Sequence, residues 1–198
     1  MGHTADDDLD VQAGVCGFPP MRQREGRPRR YPDGAQGNCE IGQRLKVREL
    51  MGNDSAIIDE MLRTARTIAV VGMSDKTWRA SHHIGQYLAA NGYRVIPVNP
   101  ALSEVIGLKC SPDLDAAQTA AREEGGTGID IVDVFRASEN VPAIVDDVIR
   151  LGIPGLWLQD GVMHDEAVGR ARAAGVKCVQ NDCIFREHSA RPELHTRE

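Results

Sequence analysis

The sequence predicts an α/β fold, a doubly wound, mostly parallel sheet of five or six strands with helices on both faces. Three observations predict it. Short apolar runs recur at 68–71, 95–98, 129–135, 156–158 and 176–179, each dense enough for a strand buried on both sides. Helical patterns lie between them, and several stop at glycine, the usual terminator. Strand and helix alternate throughout, which calls for parallel pairing through crossover connections.

Taken in order, Asn53, Asp54 and Ser55 offer caps for a helix over 56–65, where Ile57, Ile58, Met61 and Leu62 share one face. The first strand, 68–71, runs into the turn Gly72-Met73-Ser74-Asp75-Lys76 and a helix over 81–90 that ends at Asn91-Gly92. A second strand follows at 95–98. A weak extra strand is expected over 105–110, before Ser111-Pro112 leads into a helix over 113–123. The strand at 129–135 precedes a helix over 138–151 stopped by Gly152, and the strand at 156–158 precedes a helix over 163–174 stopped by Gly175. The run at 176–179 closes the sheet, and no internal repeat is present.

The 198 residues divide unevenly. Residues 1–50 are rich in Gly, Pro, Asp, Arg and Gln and lack apolar periodicity, so a disordered or non-native N-terminal extension is expected there. Met51 opens a sequence sufficient for the whole domain, which would span 51–190 and leave 191–198 as a tail. The basic stretch 22–30 is expected to be a solvated tail, since no aromatic side chains are interleaved with it.

A formal net charge of −6 argues against a nucleic-acid or anionic-membrane binder, both of which need a broad basic face. No run approaches the roughly 18 apolar residues of a membrane span, and the N-terminus lacks a secretory pattern, so a cytoplasmic location is expected. Cys16, Cys39, Cys110, Cys178 and Cys183 form an odd set without C-x-x-C spacing. That suits reduced thiols better than disulfides, and no structural zinc set is expected.

In a doubly wound sheet the ligand occupies the crevice beyond the carboxyl ends of the strands. The turn at Gly72 leads from a strand into a helix start, where free N–H groups and the positive end of the dipole suit a phosphate. Lys76 and Arg79 add cationic charge beside it. The loops after 98, 135 and 158, carrying Asn99-Pro100, Arg136 and Gln159-Asp160-Gly161, should face this turn. A dinucleotide fingerprint would need G-x-G-x-x-G and an acid ending the second strand. Gly72 stands without partner glycines, and the strand ends in Val98-Asn99-Pro100. With no carboxylate there to repel a phosphorylated ribose, a ligand with extra phosphate is favoured, and coenzyme A is such a ligand.

The segments VVGMSDKTWRASHHIGQYL, GYRVIPVNP, GIDIVDVFR, GLWLQDGV and CIFREH resemble, in order, the stand-alone bacterial CoA-binding domain family. That family is itself similar to the nucleotide domain of the succinyl-CoA synthetase alpha subunit. The resemblance covers about residues 55–188 and implies a Rossmann-like domain binding coenzyme A or an acyl-CoA. It implies that Gly72, Met73, Ser74 and Lys76, with Arg79 and Ser81, cradle the pyrophosphate. Val98, Asn99 and Pro100 would border the adenosine, and Val134, Phe135 and Arg136 would close the far side. At Asn181-Asp182 the chain departs from the family's acid-then-base pair before the cysteine.

Each candidate also has a plainer role. Lys76 and Arg79 could serve solubility, Ser81 could be a helix cap, and Arg136 could pair with Glu139. Trp157 falls inside a strand and is expected in the core, while Trp78 on the loop could stack on a base. Asp130 and Asp133 are expected to hydrogen-bond neighbouring turns, and His82 and His83 to lie on the helix surface. Cys183 is either a packing residue or a thiol in reach of the CoA sulfur.

No catalytic constellation emerges. The expectation is a small-molecule nucleotide binder acting as a carrier, sensor or accessory module, with a protein partner or a second copy as possible company. Two alternatives stand beside it: an NAD(H)-binding redox sensor or small oxidoreductase, and CoA-dependent thiol exchange through Cys183.

Overall fold

The computed structural model describes residues 53–123 and 126–194. The expectations for residues 1–50 fall outside the described residues.

The elements follow as α1 (Ser55–Thr64), β1 (Thr67–Val71), α2 (Ala80–Ala90), β2 (Arg94–Val98), β3 (Glu104–Val105), β4 (Leu108–Lys109), α3 (Leu114–Glu123), β5 (Ile131–Val134), α4 (Val141–Leu151), β6 (Gly155–Leu158), α5 (Asp165–Ala173), β7 (Lys177–Val179) and α6 (Ile184–Ser189). Single 3-10 turns occupy Ser138–Asn140 and Pro192–Leu194. Five strands form one parallel sheet in the order β2-β1-β5-β6-β7. The chain steps outward from β1 to β2, then crosses back to β5 on the other side of β1. The order therefore reverses between β1 and β5, where a ligand crevice is expected in such sheets.

Strand parity explains the two layers. Ala69, Val71, Ile96, Val98, Val132, Val134, Leu156 and Leu158 point to one face and pack with α3, α4 and α5. Ile68, Val70, Val95, Ile131, Trp157 and Val179 point to the other and pack with α1, α2 and α6. Every residue of β1, β5 and β6 is buried, as a strand covered by helices on both faces requires. Asp130 stitches the strand entrances together, its Oδ2 accepting from Arg66 N at 2.7 Å and Thr67 N at 2.9 Å. Trp157 lies in the core, donating from Nε1 to Asp182 O at 2.8 Å.

The structure corrects one expectation and adds two elements that the sequence did not mark. The weak strand over 105–110 is an antiparallel hairpin of β3 and β4, turned by Ile106 and Gly107 at positive φ. Residues 184–189, which carry no strong periodicity, form α6 because Ile184 and His188 are buried beside the sheet. The 3-10 turn Pro192–Leu194 carries Leu194 into the same core.

Candidate functional site

The carboxyl ends of β1, β2 and β5 converge around Gly72. Its φ of +84° is a conformation that side chains disfavour, and it lets the chain leave β1 sharply. Gly72 N donates to Val98 O at 2.9 Å and Phe135 N donates to Val71 O at 2.9 Å, joining the three strand ends. Asn99 adds a side-chain tie, donating from Nδ2 to Met73 O at 2.9 Å while its Oδ1 accepts from Ala101 N. With its amide so engaged, Asn99 clamps the turn from the end of β2.

The turn is held from the helix side as well. Ser81 is buried within the first turn of α2, and its Oγ accepts from Ser74 N at 3.1 Å. His82 Nδ1 donates to Ser74 O at 3.1 Å, a contact that requires the Nδ1–H form of the ring. Ser74 Oγ in turn accepts from Lys76 N. Ser81 is thus not the cap of α2, a place taken by Arg79 without a side-chain hydrogen bond. These contacts fix the backbone between strand and helix, so its amides stand in a set direction instead of wandering.

Arg136 reaches this turn from β5. Its Cδ and Nε lie 3.2 and 3.3 Å from the point where a Cβ on residue 72 would stand, so the side chain lies across the glycine. Among the described residues no carboxylate pairs with it, and the alternative partner Glu139 makes no ion pair with it. A half-buried guanidinium placed over a strand-to-helix turn is suited to a phosphate.

Not every candidate side chain enters the crevice. Val98 and Val134 face the α3, α4 and α5 layer by strand parity, and Met73 is wholly buried against Gly85 of α2. These three offer backbone and packing only. Phe135 is half-buried against the opposite cluster, Pro100 is exposed, and Lys76 and Trp78 stand in solvent at the rim.

Asp133, expected to hydrogen-bond a neighbouring turn, does so as half of a buried polar pair close by. Asp133 of β5 is fully enclosed; its Oδ1 accepts from Gln159 Nε2 at 2.6 Å and its Oδ2 has no partner. Burial pushes its carboxyl up to about 7, against the stabilising hydrogen bond from Gln159. A carboxyl interrupting an apolar strand was visible in the sequence, but its partner Gln159, from the loop after β6, was not.

At the next strand ends, Arg186 bridges Asp160, with both oxygens engaged, and Asp182, whose Oδ1 also accepts from Cys183 N. Asn181 adopts positive φ, and its Oδ1 accepts from Gly161 N. The two residues that break the family's acid-then-base pattern therefore tie loops together. Cys183 is buried, and burial pushes its thiol up to about 11, so little thiolate is present near neutral pH. Burial of Cys183 thus works against the thiolate that exchange with the CoA sulfur would need. Among the described residues no His, Cys, Asp and Glu group could hold a metal, and no helix is long and apolar enough to cross a membrane.

The comparisons agree with this architecture. A family model described as a CoA binding domain matches residues 66–189. The uncharacterized protein YneT of Bacillus subtilis (strain 168) is 35% identical over 134 residues, spanning 68% of this chain and 93% of its own. A solved structure of a hypothetical protein from Pyrococcus horikoshii OT3 superposes with a TM-score of 0.63 at 34% identity, covering 71% of this chain and 94% of that one. A Thermus thermophilus structure gives 0.60 at 30% identity, covering 69% and 98%.

Proposed function

Since the chain belongs to the CoA-binding domain family, we propose that it binds coenzyme A or an acyl-CoA across the β1–β5 crevice, as a carrier, sensor or accessory module without chemistry of its own. The observation that carries this reading is Arg136 lying over Gly72 with no carboxylate partner among the described residues. A cation over Gly72 stands at the turn that leads into α2, so the pyrophosphate would receive helix amides from the one element and a guanidinium from the other. Gly72 and Ser74 set the course of the turn, their own amides engaged with Val98 O and Ser81 Oγ, while Lys76 and Arg79 contribute long-range charge and Asn99 with Pro100 the wall beside the adenosine. Phe135 supplies apolar surface for the pantetheine arm. The protein acts in the cytoplasm on a small-molecule ligand, alone or with a second chain.

The absence of a carboxylate at the end of β2 favours CoA over NAD, because no acid is positioned to grip the ribose hydroxyls. Calorimetry with CoA, dephospho-CoA and NAD tests the assignment. CoA is expected to bind best, and loss of its 3′-phosphate to weaken binding. Equal or tighter binding of NAD would overturn the assignment.

A further inference from the structure

Trp78 is the one large apolar side chain that stands exposed among the described residues, at 75%. Its backbone is nevertheless pinned. Arg79 N donates to Lys76 O at 3.0 Å, so Thr77 and Trp78 are the central pair of a closed turn. Arg79 then caps α2, its carbonyl accepting from His82 N and His83 N. The start of the same loop is held by the Ser74, Ser81 and His82 contacts. An indole is thereby presented from a fixed frame, on the segment that also carries Lys76 and the amides of a helix start.

The geometry points to Trp78 as a base-stacking residue, whose indole covers the adenine of the ligand while the Gly72 turn and Arg136 hold its phosphates. This rests on the CoA reading above. A nucleotide joins an aromatic plane to a polyanion, and the loop joins an aromatic face to an anion site, so the two are complementary. A second copy of the chain would need a contiguous apolar face to cover this indole. Trp78 is instead flanked by Lys76, Thr77 and Arg79, which suits a small charged ligand and not a dry protein contact.

The protein carries its own reporter, because Trp157, the other tryptophan, is fully buried. Tryptophan emission and calorimetry are followed while the full chain and its Trp78→Phe and Trp78→Ala variants are titrated with CoA, adenosine diphosphate and phosphopantetheine. Adenine-bearing ligands should quench the exposed indole and phosphopantetheine should not. Trp78→Ala should weaken CoA about tenfold, and Trp78→Phe much less. The Trp78→Ala change should leave phosphopantetheine affinity unaltered.

Heat of CoA binding with unchanged emission, and equal affinity in Trp78→Ala, overturns the stacking role alone. An equal loss for phosphopantetheine overturns it too, showing a general loop effect. Emission that follows protein concentration without ligand assigns the indole to a second copy. No heat with CoA in the unaltered protein overturns the ligand reading itself, and the stacking role with it.

Discussion

The side chain of Arg136 lies across Gly72, with Cδ 3.2 Å from the place a Cβ would occupy. Gly72→Ala therefore meets two penalties: a left-handed backbone conformation, costing roughly 1–2 kcal/mol for a side-chain-bearing residue, and displacement of the arginine. Lower thermal stability together with weaker CoA binding is expected. Unaltered affinity in the Gly72→Ala variant would show that the contact does not shape the site.

Arg136 has no carboxylate partner among the described residues to lose, so reversing its charge should spare the fold. For Arg136→Glu we expect CoA affinity to fall at least about tenfold, the scale of one charge-assisted phosphate contact. The melting temperature should stay close to that of the parent. Calorimetry and thermal melts on the same preparation separate the two effects.

Asp133 makes stability depend on pH. Folded, it keeps its proton up to about pH 7, whereas the unfolded chain releases it near about 3.9. Between those values the folded state binds the extra proton, so stability falls as pH rises, by about 1.4 kcal/mol per unit, and levels off above about 7. Asp133→Asn keeps an acceptor for Gln159 and cannot ionise, so it should flatten this dependence. Urea titrations from about pH 5 to pH 8 measure the slope, and an equal slope in the variant would place the proton elsewhere.

Gly85 admits Met73 into the packing between loop and helix. A Cβ on residue 85 would stand 2.3 Å from Met73 Cε, and both residues are buried. Alanine gains about 1 kcal/mol in helix propensity over glycine, yet overpacking costs about 1–3 kcal/mol. A net loss is expected for Gly85→Ala, relieved when Met73→Ala is added. Additive effects in the double-mutant cycle would mean that the two residues do not press on one another.

The described cysteines should behave as packing residues. Cys110, Cys178 and Cys183 are all buried, and burial raises the thiol pKa of each, with Glu104 and Asp75 adding to the rise at Cys110. Near neutral pH a soluble alkylating reagent should leave all three untouched until the protein is unfolded. Peptide-resolved mass spectrometry reads the outcome, and rapid labelling of Cys183 in the folded protein would revive thiol exchange.

Much of the architecture was legible because its signals are local. Apolar density marked each strand of the sheet, and glycines at 152 and 175 marked helix ends. The hairpin of β3 and β4 was less so, since strands of two residues leave no periodicity to detect. Helix α6 escaped for a similar reason: six residues give too short a pattern, and their helicity depends on what Ile184 and His188 pack against.

By itself, then, the sequence determined the α/β class, the positions of the strands, and the loops that lie at their carboxyl ends. Hydrophobic periodicity and turn chemistry act over a few residues and need no knowledge of distant partners. Tertiary structure alone decided that Arg136 crosses Gly72, that Gln159 meets Asp133, and that Val98, Val134 and Met73 turn inward. Those outcomes depend on strand order and register, which bring together groups tens of residues apart. No local pattern encodes which neighbour a side chain will find.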